Sequence, residues 1–485
     1  MSKSEMQSVR GVHINGQWLD GMGSPLSLID PVSGQPYATV STADVTMLDD
    51  AVRAASAALP GWRSTPAAAR GRLLERMARL IEAAGSPLVQ LQMQCSGKPQ
   101  AEAELDVADV VATFDYYATC CMQQALFSQE VQLPDPAFAA SVQLLPVGVV
   151  GLIVPWNFPM VTSSWKLAPA LAAGCTVVLK PSELTPLAEI SLLKLLQEAG
   201  LPEGVVNLVC GGGETGAALA GHPGIAKLSF TGSNKTGQAV MHSAADRMAR
   251  VSLELGGKSA LVVLDDADLP QAVALAVAGA YFNAGQMCSA TSRILVQQSL
   301  YPAFLDAMQQ AVRAIQVGGP DDASTGMGPL ISHAQQQRVV GFIHRGVAEG
   351  GRLLCDGRLQ AESRPGCFVG PTLFIDLPGD SLLWREEIFG PVACIRSFRD
   401  DAEAIRLTND SDYGLVATVV GSDAARSRQL AEQLDVGMVW LGTPQLIFPQ
   451  TAWGGFKRSG IGRELGPWGL RSFQEVRHIV CNSAT

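Results

Sequence analysis

Two periodicities divide this chain. Over residues 46–59 and 67–84 apolar positions recur every three or four residues, which predicts amphipathic helices, the first opened by Thr46 and Asp49 as a capping pair. Residues 13–18 (HINGQW) place Asn-Gly between short apolar runs and predict a hairpin, whereas residues 1–12 read as a loose arm. A further helix is predicted over 100–124, with Asp106 and Asp109 three positions apart on one face. Residues 128–145 alternate and are broken by Pro134 and Pro136, so they read as short extended segments. From 148 to 254 the pattern changes. Apolar runs at 149–154, 176–180, 205–209, 228–230 and 251–254 are separated by helical runs at 161–173, 186–199, 215–220 and 233–245. That alternation predicts an α/β architecture with a parallel, doubly wound sheet. A second α/β region follows over 259–439, including a helix at 269–282 and a strand at 294–297. Residues 470–480 alternate again, as a strand expected to pair within an oligomer.

Composition narrows the class. With 485 residues, 47% hydrophobic and 16% charged, the chain reads as a soluble globular protein of about two to four domains. A net charge of −10 disfavours a nucleic-acid partner, and no apolar run reaches membrane-spanning length. Ten cysteines without CxxC spacing point to a reducing, cytoplasmic setting. Six scattered histidines with no paired-ligand spacing point to no metal.

Candidate chemistry centres on residues 281–293 (YFNAGQMCSATSR), where a helix hands over to a loop at Cys288. A lone cysteine is usually a small buried hydrophobe. Here Glu254 ends a strand-like run and Asn157 follows another, so a nucleophile, a base and an oxyanion donor are all available. Ligands of doubly wound sheets lie beyond the carboxyl ends of the strands. Trp156, Asn157, Lys180, Glu183, Thr231, Gly232 and Ser233 all fall there. Residues 211–216 fit G-x-G-x-x-G, yet the acidic residue expected about twenty positions on is missing. Gly256-Gly257-Lys258-Ser259 imitates the tail of a P-loop, but Ser252 stands where its first glycine should be. Glu183, after the second strand, suits ribose hydroxyls and would repel a 2′-phosphate, favouring NAD over NADP.

The motifs WNFP (156–159), LKPSE (179–183), FTGS (230–233), LELGGKS (253–259), GQMCSATSR (285–293), EEIFGPV (386–392) and WGGFKRSGIGRELG (453–466) resemble the NAD(P)-dependent aldehyde dehydrogenase superfamily. The resemblance runs from about residue 15 to 480 and is strongest to the aminoaldehyde and betaine-aldehyde dehydrogenases. It implies a Rossmann-type cofactor domain (1–124 and 146–254, with 441–466 returning to it), an α/β catalytic domain (255–440), and a small oligomerisation β-sheet (125–145 and 467–485) that makes a homodimer or homotetramer. It implies Cys288 as nucleophile, Asn157 and the Cys288 N–H as oxyanion donors, Glu254 as the base activating water, and Lys180 at the cofactor ribose. Ile153, Pro155, Trp156, Ser182, Glu183, Gly213, Phe230, Gly232, Ser233 and Leu255 would line the NAD groove, with Glu387 on the nicotinamide ribose and Phe389 against its ring.

The same resemblance puts Phe158, Trp165, Phe282, Met438, Phe448 and Trp453 in the substrate channel and Asp106 and Asp109 at its mouth. Aromatic faces with carboxylates favour an ω-amino or trimethylammonio aldehyde such as 4-aminobutyraldehyde. Phe158 stands where Tyr is usual and Phe282 where Trp is usual, which would broaden specificity. Bulk at Met438 is expected to crowd a trimethylammonium group. The alternatives are betaine aldehyde, a broad range of aliphatic or aromatic aldehydes, or a non-catalytic protein on the same fold.

Overall fold

A computed structural model describes residues 7–483. Its centre is an eight-stranded sheet whose five parallel strands are Val149–Ile153, Thr176–Lys180, Val206–Val209, Lys227–Thr231 and Arg250–Glu254. Numbered along the chain, they lie in the spatial order 3-2-1-4-5. Both faces are covered by helices, which is why these strands read as continuous apolar runs rather than alternating ones. Pairing aligns their carboxyl ends: Ile153 lies beside Lys180 and Phe230, and Thr231 beside Glu254. The order reverses between Val149–Ile153 and Lys227–Thr231, the place where such sheets open a crevice for ligands.

A second, seven-stranded sheet runs Arg352–Cys355, Thr372–Ile375, Val392–Phe398, Arg293–Gln297, Ala260–Val263, Val416–Val420 and Met438–Leu441. All its pairings are parallel except the first. Only five residues separate Glu254 from Ala260, so the carboxyl edge of one sheet abuts the amino edge of the other. Cys288 arrives at that seam from the second sheet, between the helix Leu269–Tyr281 and the strand Arg293–Gln297. Buried Arg293 braces the seam, donating from Nε to the Lys258 carbonyl (2.8 Å), from Nη1 to Leu407 (2.9 Å) and from Nη2 to Thr408 (3.0 Å).

The hairpin at residues 13–18 forms as expected, with Asn15 and Gly16 both at positive φ (49° and 83°) between Val12–Ile14 and Gln17–Leu19. Three local expectations are corrected. The first helix spans Val45–Ser64 and is capped by Asp44, whose Oδ1 accepts from the Met47 N–H at 2.8 Å, so Thr46 and Asp49 lie inside it. The loose arm falls partly outside the described residues (1–6), while Gln7–Val9 is a strand parallel to Pro36–Thr42. The final strand begins at Gln474 rather than at residue 470, because residues 466–471 are helical, and Gln474–Asn482 pairs with Phe138–Pro146 in a three-stranded sheet. Among the described residues no helix is long and apolar enough to cross a membrane.

Asp44→Ala removes the only side-chain cap of the Val45–Ser64 helix. It should cost about 1 kcal/mol, read as a lower urea midpoint with faster amide exchange confined to residues 45–48. An unchanged midpoint and exchange pattern would remove the cap from the account.

Candidate active site

The seam between the two sheets holds a cavity of about 770 Å³. Cys288, Glu254 and Asn157 all line it, although they lie 34 and 97 residues apart along the chain (288−254 and 254−157). The segment joining the sheets allows this. Any side chain on Gly256 would overlap the Glu387 carboxylate, and any on Gly257 would overlap the Cys288 carbonyl. The Gly257 N–H donates to Glu387 Oε1 at 2.9 Å, which fixes that carboxylate in the cavity wall.

The Cys288 thiol is pushed well above its ordinary range, first by burial and then by the carboxylates of Glu254 and Glu387. Burial likewise raises Glu254 to about 8, and the neighbouring Glu464 carboxylate acts in the same direction. Glu254 Oε1 has no hydrogen-bond partner within the protein, while the Trp453 indole beside the carboxylate acts to lower its pKa. Glu464 is itself paired with buried Lys166. Its backbone exchanges two hydrogen bonds with Trp453, each 2.8 Å, which carries the Trp453 ring into the cavity wall.

Asn157 is held on both sides. Its Nδ2 donates to the Gln286 carbonyl at 2.9 Å. Its own carbonyl accepts from Lys98 Nζ (3.2 Å) and Asn283 Nδ2 (3.1 Å). An amide Nδ2 carries two hydrogens, so one remains for a developing oxyanion. Asn283 and the following Ala284 are both left-handed (φ 49° and 53°), a costly pair for residues with a Cβ. Buried Glu102 offsets part of that cost by accepting the Asn283 N–H at 3.0 Å.

The expected cofactor residues divide into two groups. Pro155, Trp156, Gly232, Ser233, Leu255, Glu387 and Phe389 line the cavity, with the Trp156 and Phe389 rings edge-to-face at 5.2 Å. Ile153, Lys180, Ser182, Glu183, Gly213 and Phe230 are not in its wall; Ile153 and Phe230 lie on the strands beside it, and Lys180, Ser182, Glu183 and Gly213 continue the row of strand ends toward the far side of the sheet. Ile153, Lys180, Ser182 and Phe230 are buried, Gly213 is exposed, and half-exposed Glu183 accepts from Lys180 Nζ at 3.3 Å. Ser233 caps the helix Asn234–Ala245, accepting the Thr236 N–H at 3.3 Å, so that helix begins at the cavity wall. Strand ends, a helix N-terminus and a fixed carboxylate together suit the charge pattern of a dinucleotide.

The channel differs from expectation in three places. Phe158, Trp165, Phe282 and Trp453 line the cavity, the two phenyl rings nearly parallel at 6.3 Å and the two indoles 5.0 Å apart. Phe448 does not: it is 53% exposed, and Ile447 and Pro449 on either side of it face inward instead. Met438 is not a wall residue either. It packs from the edge strand Met438–Leu441 against the core that contains Trp165 and Trp453, so it cannot crowd a substrate directly.

Asp106 and Asp109 do share the cavity face of the helix Gln100–Cys120. Asp106, however, is buried, bonded to Lys98 Nζ at 2.6 Å and to Gln92 Nε2 at 2.8 Å. Burial pushes its carboxyl upward and Lys98 opposes this. Wherever the shared proton resides, the pair has no net charge to offer a cation. Asp109 remains half-buried, accepting from Trp165 Nε1 (2.8 Å) and Thr113 Oγ1 (3.2 Å), with its pKa raised to about 6 by burial.

Sequence reasoning missed Lys98, Glu102, Asn283 and Gln286. One signal was available: Glu102 and Asp106 are four apart on an otherwise apolar helical face, spacing that buries both. Among the described residues no group of three or more His, Cys, Asp or Glu side chains is placed to hold a metal ion.

Comparison with known proteins matches residues 18–479 to the aldehyde dehydrogenase family. Betaine aldehyde dehydrogenase 1 of Oryza sativa subsp. japonica is 40% identical, covering 97% of this chain and 95% of that protein. The peroxisomal aminoaldehyde dehydrogenase 2 of Pisum sativum is 39% identical, with coverage of 97% and 95%. Among solved structures, betaine aldehyde dehydrogenase from Staphylococcus aureus in complex with NAD+ superposes with a TM-score of 0.94 at 36% identity, covering 98% of this chain and 95% of that one. A fold shared at this level and a family match spanning nearly the whole chain make this protein a member of the aldehyde dehydrogenase family.

Proposed function

We propose that this protein oxidises an aldehyde to its carboxylic acid with NAD, and that its preferred aldehydes carry a cationic amine, as 4-aminobutyraldehyde does. The observation that carries the reading is the convergence of Cys288, Asn157 and Glu254 on one aromatic-lined cavity that has Asp109 farther along the same wall. The Cys288 sulfur adds to the aldehyde carbon, and the proton it loses passes to Glu254 or solvent. The Asn157 amide and the Cys288 N–H hold the resulting oxyanion. NAD, when bound, supplies the hydride acceptor, and its positive ring counters the two carboxylates that oppose thiolate formation. Loss of hydride leaves a thioester on Cys288. Glu254 then takes a proton from water, and the hydroxide displaces the sulfur to release the acid. A carboxylate with one oxygen free of internal donors suits a group that must reach first a thiol and then a water.

Glu183 beyond the second strand supports NAD over NADP, by repelling a 2′-phosphate. The Trp165, Trp453, Phe158 and Phe282 rings offer faces to an ammonium group, and Asp109 offers the charge. Because Asp106 is neutralised and Met438 lies behind the wall, betaine aldehyde stands as a second candidate substrate. We further read residues 1–124 with 146–254 and the returning 441–466 as the cofactor domain, 255–440 as the catalytic domain, and 125–145 with 467–485 as oligomerisation segments of a homodimer or homotetramer. The ten free thiols fit a reducing cytoplasm.

Glu254→Gln should give a burst of about one NADH per site and then stall, because acylation survives and deacylation does not. In the unmutated enzyme the base works only as the carboxylate. With its pKa raised to about 8, turnover should climb as pH rises through 8 and fall away below it. A rapid steady state in Glu254→Gln, or a profile flat from pH 6 to 9, would remove Glu254 from this role.

Asp109→Asn tests the substrate class. Steady-state NADH formation should lose about tenfold in kcat/KM for 4-aminobutyraldehyde and little for hexanal. Since Asp109 is charged above a pKa of about 6, the unmutated preference should fade as pH drops through 6. Equal losses on both aldehydes, or hexanal as the better substrate of the unmutated enzyme, would favour a broad-specificity aldehyde dehydrogenase.

A further inference from the structure

The residues that hold Asn157 form a buried polar cluster that the reaction described above does not use. Lys98 is at its centre and fully buried. Its ammonium donates to Asp106 Oδ2 at 2.6 Å and to the Asn157 carbonyl at 3.2 Å, and it lies 4.5 Å from the centroid of the Phe158 ring. One cation thus touches the peptide of the oxyanion donor, the next side chain along the channel wall and a carboxylate on the helix that follows it.

On the other side of Asn157, Asn283 Nδ2 donates to the same carbonyl at 3.1 Å and to the Gln286 carbonyl at 3.2 Å. Gln286 is two residues before Cys288 and accepts the Asn157 amide. Glu102, one helical turn before Asp106, fixes the Asn283 N–H. The nucleophile loop and the oxyanion donor therefore share one anchor, the start of the helix Gln100–Cys120 with Lys98 just ahead of it.

We infer that Lys98 is a positioning residue for the oxyanion: it aligns the Asn157 amide against the nucleophile loop, and Asp106 serves as its counter-ion rather than as a charge that attracts substrate. The carbonyl of Asn157 and its side-chain amide belong to one residue, so a donor that pins the carbonyl restricts where Nδ2 can point. Removing that donor leaves Asn283 as the remaining protein partner of the carbonyl, with a buried carboxylate at Asp106 deprived of its cation. Alignment matters most in the transition state, where charge on the oxygen is greatest. The effect should therefore fall on kcat and spare KM.

This inference rests on Asn157 being the oxyanion donor, and the test separates the two. Lys98→Met, Asn157→Ala and the double variant are assayed with hexanal, a neutral aldehyde, so that substrate charge plays no part. Alongside, iodoacetamide alkylation of Cys288 is followed by mass spectrometry of its peptide. In that reaction the sulfur displaces iodide from carbon and no oxyanion forms. Lys98→Met is expected to lose about 100-fold in kcat, with KM for NAD and the alkylation rate within about threefold of the unmutated enzyme. The double variant should be no slower than Asn157→Ala by more than about threefold, because both changes act on one group.

A kcat for Lys98→Met within threefold of the unmutated enzyme overturns the inference, as do losses that multiply in the double variant or a fall in alkylation that matches the fall in kcat. Full activity in Asn157→Ala would instead overturn the donor assignment beneath it. If Lys98→Met does not yield folded, NAD-binding protein, Asp106→Asn decides. A counter-ion role predicts equal kcat losses on hexanal and 4-aminobutyraldehyde. A loss confined to kcat/KM of the aminoaldehyde, or no loss at all, overturns it.

Discussion

Everything at this site depends on a close approach that only glycine permits. Two sheets meet edge to edge across residues 255–259, with Gly256 against the Glu387 carboxylate and Gly257 against the Cys288 carbonyl. A methyl group at Gly257 would meet the Cys288 backbone, and one at Gly256 would displace the Glu387 carboxylate from the cavity wall. The parallel sheet delivers Glu254 and Asn157 at its carboxyl edge, and the second sheet delivers Cys288 ahead of its amino edge. Neither sheet alone contains the chemistry. The cavity exists because the backbone, rather than side chains, fills the seam.

This geometry concentrates like charge. Glu254, Glu387 and the Cys288 sulfur face one cavity, with Glu464 behind Glu254, and burial strengthens each repulsion. Glu254 at about 8 and Glu387 at about 7 are both raised by that burial. The protein keeps the thiol protonated by default and suits a reaction in which a cationic cofactor ring shifts the balance. The cluster is tolerable because each carboxylate has a different relief: Glu387 accepts the Gly257 N–H, Glu464 pairs with Lys166, and Glu254 holds its proton.

The parallel strands were legible because a sheet buried on both faces leaves continuous apolar runs, and the helices between them because one stripe of each meets the sheet. Cys288, Glu254 and Asn157 were legible from motif context, and the structure brings them to one wall. Phe448 was misplaced because irregular chain has no period to say which of three neighbours, Ile447, Phe448 or Pro449, faces inward. Met438 was misplaced because an edge-strand residue can pack behind a wall as easily as in it. The partner of the last strand was hidden because alternation specifies a half-buried strand and not what it pairs with.

Asp106 is the most instructive of these, because helical spacing placed it on the right face and still misjudged its role. A carboxylate turned toward a cavity can act in two ways, and its neighbours decide which. Asp109 receives an indole N–H and a hydroxyl, neutral donors that leave its charge available above a pKa of about 6. Asp106 receives an ammonium that comes from outside the helix, eight residues earlier in sequence, where no helical pattern would seek it. One aspartate therefore faces the cavity as a charge, and the other is half of a neutral brace. Two acidic residues three positions apart on one helix are not a doubled attraction for a cation, and selection among aldehydes by charge has to be argued from Asp109 alone.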